Sequence, residues 1–476
     1  MGLKVFTVDF EKFAQESLMR SNYKTAVIGI EIESRIRQLE RKFTRLKDYF
    51  YIVSGFAFKS ADYEQEGIPL IRIGDVGNNF DEKNMVFLPE DYKEEYERFL
   101  LKKDDIIVSL TGDGKLKSDL ILEDDRYLLN QRVGSLRAKE NVNILFYYYL
   151  INYYSLTRLQ FYWWSNGKTQ LNISPFDFLY IKIPLIPKSE QDKIVSKIEP
   201  IENKIKELKA QIVEPQEIIN KVFAKEFGVD IDKFEENKNK KFFDVEFSNV
   251  LKNNLLRIST HFHHIKLSSL EDKLRDKDFW KPLNTKFKLS GGKRIPKGKT
   301  FSNDITDYYY LRPTEVSIWG IEKSDATYIS EDLYNQLKRY KIKTGEFCIS
   351  IVGTLGKTAL INTKDLDIED DNLILSENFI KLTPIQKINN MFFYYYFYSF
   401  IFEAQMDREY TITSIKKLGI DKWNYIKIPN IPIEDQQKIV DEIKAELDEQ
   451  EVIQREIESE RDKIDKIIEE SIAMVQ

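Results

Sequence analysis

The residues of this chain that could do chemistry lie in loops that combine cations, aromatic rings and side-chain amides. The richest is Phe161-Tyr162-Trp163-Trp164-Ser165-Asn166-Gly167-Lys168-Thr169-Gln170-Leu171-Asn172. Aromatic rings stack on exposed bases, Lys and Arg bind phosphates and guanine edges, and Asn and Gln bind adenine edges. This loop therefore predicts a nucleic-acid contact through Trp163, Asn166, Lys168 and Gln170.

Further loops have a similar composition and supply other candidate DNA contacts. They are Lys115 and Lys117; Asn130, Gln131 and Arg132; Lys293, Arg294, Lys297 and Lys299; Thr354 and Lys357; and Arg408, Lys416 and Lys417. A solvated surface turn is the alternative interpretation for each loop, and it stays open for each residue taken singly. The repeated combination of residue types favours DNA binding.

Signatures of catalysis and of metal binding are scarce. Gly356-Lys357-Thr358 matches the end of a phosphate-binding loop, but that motif needs an earlier glycine where this chain has Ile351. The histidines His261, His263 and His264 have no cysteine nearby that could complete a zinc site, which favours an edge between domains. The chain also lacks the Pro-Pro pair of an amino-methyltransferase motif. We therefore predict no catalytic residue, no metal and no cofactor in this chain.

Composition indicates a globular chain. Its 476 residues are 42% hydrophobic and 13% aromatic, enough for two to four domains with buried cores. A net charge of −6 weakly opposes nucleic-acid binding, but residues 281–299 contain seven Lys or Arg and no acid. The single cysteine, Cys348, excludes an intrachain disulfide. Without a signal peptide or an apolar run of about 20 residues, the expected location is the cytoplasm.

A long sequence repeat sets the positions of these loops. Tyr180-Ile181-Lys182-Ile183-Pro184 recurs as Tyr425-Ile426-Lys427-Ile428-Pro429, an offset of 425 − 180 = 245 residues. Residues 71–76, 105–112 and 146–149 recur in the same order at 311–316, 346–353 and 393–396. Such an offset is too large for a solenoid repeat and indicates two copies of one domain. The apolar frames of the copies match, whereas most of their polar loops differ.

Each copy is predicted to be an α/β (α+β) domain with a mixed sheet. Short β-rich runs at 68–73, 106–110 and 347–352 are bounded by turn residues, and aromatic helices are predicted at 143–162 and 389–407. After each copy of the repeated motif, apolar residues follow a heptad spacing that predicts a long helix. The seam residues are Ile194, Ile198, Ile201, Ile205, Leu208, Ile212, Ile439, Ile443, Leu447, Ile457, Ile464 and Ile468.

Two such helices in one chain most simply pair as an antiparallel coiled coil, with Pro200 expected to kink or break the first. Some 35 to 40 helical residues would be about 50–60 Å long, which could set the spacing of the two domains. The predicted parts are a first recognition domain at 1–187, a spacer helix at 188–225, a connector at 226–250, a second recognition domain at 251–432 and a second spacer helix at 433–476.

Several motifs of the two copies together resemble one protein family. They are residues 53–63, 67–72, 172–174, 340–346 and 350–357, and both copies of Ile-Lys-Ile-Pro with the Gln and Ile-Val that follow. The family is the DNA-specificity subunit of type I restriction-modification systems, and the resemblance covers nearly the whole chain. Lys59 and Arg72 lie in these motifs and Arg312 is the counterpart of Arg72, so all three are candidate DNA contacts. One departure is Gly419, which stands where the first copy has Asn172.

The resemblance implies that each domain binds one half of a split DNA sequence, and the unlike loops predict an asymmetric target rather than a palindrome. It also implies a chain without a catalytic site that recruits two adenine-N6 methyltransferase subunits, together with two motor-nuclease subunits where the system restricts DNA. S-adenosylmethionine, ATP and Mg would be bound by those partners. The rival interpretations are a methyltransferase or nuclease that acts alone, and a coiled-coil scaffold that does not bind DNA.

Overall fold

The computed structural model describes residues 23–38, 43–77, 85–112, 116–139, 142–165, 171–238, 240, 270, 273–318, 320–322, 327–366, 369, 372–412 and 415–474. They divide into two compact units. The first comprises the described residues up to Gln211 and from Ile453 onward, and the second those within Ile212–Val452. Among the helices of these ranges, none is long and apolar enough to cross a membrane.

The first unit alternates short strands with helices. Its helices are α1 (Tyr23–Gln38), α2 (Leu46–Tyr49), α3 (Tyr92–Glu95), α4 (Ile144–Tyr153), α5 (Ser155–Trp164), α6 (Pro175–Leu179) and α7 (Lys188–Lys209). Its strands are β1 (Phe43–Arg45), β2 (Phe50–Ser54), β3 (Ile68–Ile71), β4 (Val86–Leu88), β5 (Ile106–Ser109), β6 (Thr111–Gly112), β7 (Ser118–Leu120), β8 (Leu128–Leu129), β9 (Val133–Ala138), β10 (Leu171–Asn172) and β11 (Lys182–Pro184).

The second unit has a similar order of elements. Its helices are α8 (Pro215–Phe227), α9 (Ile231–Lys238), α10 (Glu331–Leu337), α11 (Asn390–Tyr398), α12 (Phe400–Glu409) and α13 (Ile433–Met474), of which the residues from Ile453 onward belong to the first unit. Its strands are β12 (Trp280–Pro282), β13 (Phe287–Gly291), β14 (Tyr309–Leu311), β15 (Val316–Ser317), β16 (Gly320–Ile321), β17 (Phe347–Ser350), β18 (Thr358–Leu360), β19 (Leu373–Leu375), β20 (Phe379–Pro384), β21 (Thr411–Ile412), β22 (Lys416–Lys417) and β23 (Lys427–Pro429).

Each unit contains a four-stranded antiparallel sheet and a smaller sheet, and the strands of the two sheets alternate along the chain. The large sheets have the strand orders β2-β9-β5-β7 and β13-β20-β17-β18. The smaller sheets, β4-β3-β8 and β14-β19, each contain one parallel pair, β3–β8 and β14–β19. All residues of β5 and β17 are buried, as continuous apolar runs between turn residues predict. The predicted α/β (α+β) fold is confirmed. The sheet β4-β3-β8 is mixed, because β3 pairs antiparallel with β4 and parallel with β8, whereas the large sheets are antiparallel.

Gly55 and Gly292 show that the duplication extends to individual contacts. Each donates its N–H to the first residue of the neighbouring strand, β9 or β20, at 3.1 and 3.2 Å. A Cβ on Gly55 would lie 2.2 Å from the carbonyl oxygen of Asn130, and one on Gly292 would lie 2.0 Å from that of Ser376. Side-chain carbons do not approach oxygen so closely, so both positions require glycine.

Ile173 and Leu418 correct one alignment between the copies. Each donates its N–H to the residue that follows β5 or β17, at 2.9 and 3.0 Å, so the two are equivalent. Gly419 is therefore the counterpart of Ser174, and the prediction that it replaces Asn172 is wrong. The polar loops before this segment differ between the copies, so the sequence alone does not align them.

The predicted aromatic helices are each two shorter helices. α4 and α5 meet at Tyr154, and α11 and α12 meet at Ser399, where the backbone is extended. The first helix of each pair starts at an asparagine cap: the side chains of Asn143 and Asn389 each accept the N–H three residues on at 3.1 Å. The single predicted helices are wrong because the turn between the two halves is not visible in the apolar pattern.

Two buried glutamines hold the repeated Ile-Lys-Ile-Pro strand. The Gln160 side chain accepts the N–H of Lys182 at 2.8 Å and donates to its carbonyl at 2.7 Å. Gln405 makes the same pair of bonds with Lys427, at 2.8 and 3.1 Å. Both pairs are 245 residues apart, so the sequence repeat marks a hydrogen-bonded junction between α5 or α12 and the following strand.

Two more buried glutamines hold the start of each long helix. Gln191 donates to the carbonyl of Ile186, and Gln436 to that of Ile431, both at 2.9 Å. Their side-chain oxygens accept the N–H of the asparagine that caps α4 or α11, at 3.4 and 3.1 Å. The Gln of the repeated motif therefore fastens the long helix to the aromatic helix of its own domain.

The first spacer helix is interrupted after α7 and not at Pro200. α7 continues through Pro200, and residues 210–214 separate it from α8, which begins at Pro215. Proline is favoured in the first turn of a helix, where its missing N–H costs nothing. The seam residues Ile194, Ile198, Ile205, Leu208, Ile439, Ile443, Ile457, Ile464 and Ile468 are buried, and Ile201, Ile212 and Leu447 are half-buried.

In the second unit, α8 runs antiparallel to the first part of α13. The Nζ of Lys221 lies 3.9 Å from a carboxylate oxygen of Glu446, and that of Lys225 lies 2.6 Å from one of Glu442. The partner number falls as the number along α8 rises, which fixes the antiparallel direction. The coiled-coil character of the two spacer helices stays a prediction.

Gly292→Ala is expected to destabilise the second unit. The added Cβ would overlap the carbonyl oxygen of Ser376, and moving the backbone to relieve this should cost about 3 kcal/mol. Gly74→Ala is the control, because a Cβ there meets nothing within 4 Å. Hydrogen exchange of the β20 amides measures the effect, and equal protection in both variants would contradict it.

Candidate nucleic-acid interface

The four-stranded sheet of the second unit gathers several loops at one end. Gly291 of β13 pairs with Ile380 of β20, and Ser350 of β17 pairs with Phe379 of β20. The carboxyl ends of β13 and β17 therefore lie beside the amino end of β20. We call this end the loop edge of the second unit. Its residues are 292–299, 351–357 and 376–378.

This loop edge brings together most of the DNA contacts predicted in the second copy. Six of these predicted contacts lie on it: Lys293, Arg294, Lys297, Lys299, Thr354 and Lys357. Two further lysines join it, because Gly353 donates its N–H to the carbonyl of Lys416 at 3.0 Å and Val352 forms a β-bridge with Lys417. The side chains of Lys293, Lys297, Lys416 and Lys417 are exposed. Cations from distant parts of the sequence are thus concentrated at one end of the four-stranded sheet.

Acidic residues tie down some of these cations. The Nε of Arg294 lies 2.6 Å from Glu377, and Tyr310 donates its hydroxyl to the same carboxylate at 3.2 Å. Burial alone would raise the pKa of Glu377, but its hydrogen bond with Arg294 holds the pKa below its ordinary value. Lys299 pairs with Asp332 at 2.8 Å. Glu377 therefore stays ionised and partly neutralises Arg294, although the Arg294 side chain remains 80% exposed.

Arg72 and Arg312 act first as braces within their domains. Arg312 places its Nε and a terminal nitrogen 2.9 Å from a carboxylate oxygen of Glu315, which is buried. Arg72 lies 3.6 Å from Asp75, the equivalent acid in the first unit. The backbone N–H of each arginine also donates to the same acid. A DNA contact by either arginine stays a prediction.

The first unit has the same arrangement. Ser54 of β2 pairs with Gly134 of β9, and Ser109 of β5 pairs with Val133 of β9. The loops after β2 and β5 therefore meet the turn that precedes β9, and this end is the loop edge of the first unit. Its described residues are 55–59, 110–112, 116–117 and 130–132.

Five predicted contacts lie on the loop edge of the first unit. Lys59, Lys117, Gln131 and Arg132 are exposed, and Asn130 is half-buried. The Asn130 side-chain oxygen accepts the N–H of Gln131 at 2.6 Å, so it shapes the turn. The exposed residues supply cationic and amide groups of the kind that bind phosphates and base edges.

A cleft of about 510 Å³ lies beside the loop edge of the second unit. Its walls include Thr354, Lys357 and Lys416 together with the acidic Glu403 and Asp407 of α12. Walls with both donors and acceptors suit a base edge better than a phosphate alone.

Other predicted contacts lie elsewhere. Trp163 is only 9% exposed and packs edge-on against Trp164, with 4.8 Å between ring centroids, so it is not placed to stack on a base. Arg408 is half-buried in α12, with its Nε 3.9 Å from Glu409. Lys115, Asn166, Lys168 and Gln170, and the histidines His261, His263 and His264, lie outside the described residues. Over the part of the chain that the structure describes, no group of His, Cys, Asp and Glu could hold a metal ion.

Phe56 and Asn378 are loop-edge residues that sequence reasoning missed. Phe56 is the counterpart of Lys293, since both donate N–H to the last residue of the parallel strand, β8 or β19, at 3.0 Å. Its ring is 38% exposed and lies 4.9 Å from that of Tyr96. The sequence marks Phe56 by its place directly after Gly55, within the motif at residues 53–63. Asn378 had no such signal, because its place depends on strand pairing.

Asp119 is a buried carboxyl group near the loop edge of the first unit. It lies on β7, two residues after Lys117, and it accepts the N–H of Gly77. Burial raises the pKa of Asp119 to about 6, opposed by the bond from Gly77 and by the charge of Lys209. An ionised Asp119 therefore costs folding free energy at neutral pH.

The chain is similar in sequence to known proteins. Residues 39–215 and 285–460 each match the family model described as "Type I restriction modification DNA specificity domain", and together they cover more than half of the chain. The type I restriction enzyme EcoBI specificity subunit of Escherichia coli is 23% identical over 396 residues, 82% of this chain and 75% of that subunit. The MjaVIII specificity subunit of Methanocaldococcus jannaschii is 32% identical over 171 residues, 34% of this chain and 39% of that one.

Among solved structures, the crystal structure of the type I restriction-modification S subunit from M. genitalium aligns with 90% of this chain and 95% of its own. The identity is 16% and the TM-score is 0.34.

Asp119→Asn is expected to stabilise the first unit at neutral pH. The folded pKa of about 6 exceeds the ordinary value of 3.8, so the folded state binds more protons and loses stability as pH rises between these values. A shift of this size corresponds to about 3 kcal/mol, and asparagine keeps an oxygen for the Gly77 N–H.

Urea unfolding between pH 4 and pH 7, a range of about three units around the shifted pKa, measures this effect. The variant should lose the fall in stability that the wild type shows over that range. Asp124→Asn, at an exposed position, serves as the control and should leave the profile unchanged. Parallel profiles for wild type and Asp119→Asn would contradict the expectation.

Proposed function

This chain belongs to the family of type I restriction-modification DNA specificity proteins, and we propose that it recognises a bipartite, asymmetric DNA sequence on behalf of partner subunits. The first and second units would each bind one half of the target through their loop edges. Methylation of adenine N6, and restriction where the system includes it, would be catalysed by the partners at the sequence this chain selects.

The observation that carries this proposal is one frame with two different sets of loop-edge residues. Equivalent backbone hydrogen bonds place Phe56 in one unit where Lys293 stands in the other, and Arg132 where Asn378 stands. Base edges are distinguished by the residue types that meet them. Two similar frames with unlike contacts are expected to select two unlike half-sites.

The proposed partners are two methyltransferase subunits and, in a restricting complex, two motor-nuclease subunits. S-adenosylmethionine, ATP and Mg would belong to those subunits, and this chain would contribute no catalytic group. Support comes from the family itself and from the site, whose loop edges offer cations, amides and rings suited to binding.

The spacer helices are proposed to set the gap between the half-sites as an antiparallel coiled coil. α13 alone has 42 residues, which corresponds to about 63 Å of helix. Its apolar seam is buried along most of its length, as a paired helix requires.

Exchanging residues 1–187 for the first domain of another family member is expected to change one half-site and leave the other intact. The reason is that each unit has its own glutamine hydrogen bonds between its aromatic helix and its long helix, so an exchange of the first domain leaves those of the second unit intact. Sequencing of methylated adenines in DNA modified by the assembled complex gives the recognised motif. A motif altered in both halves, or in neither, would contradict the division of labour.

Inserting seven residues, about two helical turns, into each spacer helix is expected to lengthen the unspecified gap without changing either half-site. A paired insertion keeps the apolar seam in register, because the heptad repeat is preserved. Methylation-site mapping again provides the measurement. An unchanged gap in an active complex would refute the role of the helices as a spacer.

A further inference from the structure

The turns 130–132 and 376–378 occupy the same place in the two units. Leu110 donates its N–H to the carbonyl of Arg132 at 2.9 Å, and Ile351 donates to the carbonyl of Asn378 at 2.8 Å. Each turn leads directly into the inner strand β9 or β20, which has a strand on either side. Arg132 and Asn378 therefore stand at the middle of their loop edges, with a backbone fixed by the sheet.

Arg132 is held in a conformation that does not suit arginine. Its φ is +90°, in a region that side chains other than glycine seldom adopt, at a cost of about 1–3 kcal/mol. Glycine would fit this backbone better, so arginine is not explained by the stability of the turn. The side chain is exposed, and within the described residues no hydrogen bond or ion pair engages its guanidinium.

In the second unit, Glu377 already binds side chains of its own unit, whereas the side chain of the next residue, Asn378, can bind a ligand. Glu377, the counterpart of Gln131, bonds to Arg294 and Tyr310. The side-chain amide of the half-buried Asn378 makes no hydrogen bond within the described residues. The same position thus presents a guanidinium in one unit and a carboxamide in the other.

These two groups recognise different bases. A guanidinium donates two parallel hydrogen bonds to O6 and N7 of guanine, whereas a carboxamide donates to N7 and accepts from N6 of adenine. We propose that Arg132 and Asn378 are paired specificity-determining residues, Arg132 selecting a guanine in the first half-site and Asn378 an adenine in the second. This assignment rests on the proposed function, since it names the groups by which that function distinguishes bases.

Arg132→Gly separates base recognition from folding. Glycine relieves the positive φ, so the thermal midpoint of the variant should equal or exceed that of the wild type. The complex with methyltransferase subunits should relax its preference at one base pair of the first half-site by roughly 5- to 150-fold, the range for one bidentate contact. The second half-site should stay unchanged.

Arg132→Lys distinguishes a base contact from a phosphate contact. Lysine keeps the charge but lacks the planar fork, so it should relax the same base pair if Arg132 contacts guanine. A phosphate contact would instead leave the motif intact in Arg132→Lys, and Arg132→Gly would weaken methylation of all sequences alike; that outcome overturns the proposal. Asn378→Ala should relax one adenine of the second half-site only.

Arg126→Ala is the matched control. Arg126 is an exposed arginine of the same unit that pairs with Glu123 at 2.8 Å, away from the loop edge. It should leave the methylated motif unchanged. An unchanged motif in Arg132→Gly and Asn378→Ala, with wild-type methylation present, would refute the inference alone. A wild-type complex that methylates no specific sequence would instead contradict the proposed function.

Discussion

Each unit depends on buried glutamine side chains that hold the first residue of its Ile-Lys-Ile-Pro strand, β11 or β23, and the backbone just after that strand. Hydrophobic burial is non-directional, so it does not by itself fix the angle at which a long helix leaves a sheet. The bidentate bonds of Gln160 and Gln405 and the bonds of Gln191 and Gln436 do fix it, because hydrogen bonds have defined directions. Loss of one would leave buried backbone groups unpaired, at about 1–3 kcal/mol each.

Directional hydrogen bonds of the backbone also explain how two similar frames can hold unlike loop edges. The bonds that position residues 130–132 and 376–378 join backbone N–H and carbonyl groups. Their geometry is independent of side-chain identity, apart from Gly55 and Gly292, where a Cβ would collide with a carbonyl oxygen. Side chains at the loop edge can therefore differ between the units while the sheet stays the same. Divergence after duplication would then change specificity at little cost in folding free energy.

Much of the frame could be predicted from sequence because its signals are local. Buried strands such as β5 and β17 are continuous apolar runs, and the repeated motif marks the junction with each long helix. Predictions from sequence are wrong where tertiary contacts determine the burial or the alignment of a residue. Trp163 is of the right type for stacking but is buried in α5. Gly419 is the counterpart of Ser174 and not of Asn172, and the backbone bond of Leu418 is what establishes this alignment.

Residue type alone also does not separate a brace from a contact. Arg72 and Arg312 recur at matched positions, and each pairs with an acid three residues on. A matched pair of this kind serves the frame that both units share. Arg132 has no arginine counterpart, and no acid within the described residues pairs with it. Residues that recur in both units with the same kind of partner therefore belong to the shared frame, whereas residues that differ at equivalent backbone positions are candidates for base contacts.

The overall charge of the chain misleads for a related reason. A net charge of −6 counts every carboxylate equally, yet several acidic side chains are buried or paired with cations inside the fold. Glu315 is buried beside Arg312, and Asp119 is buried with a pKa of about 6. Others, such as Glu442 and Glu446, pair with lysines of α8. The loop edge of the second unit exposes Lys293, Lys297, Lys416 and Lys417. These local charges matter more to an approaching phosphate than the net charge, since salt screens charges more than about 8–10 Å away.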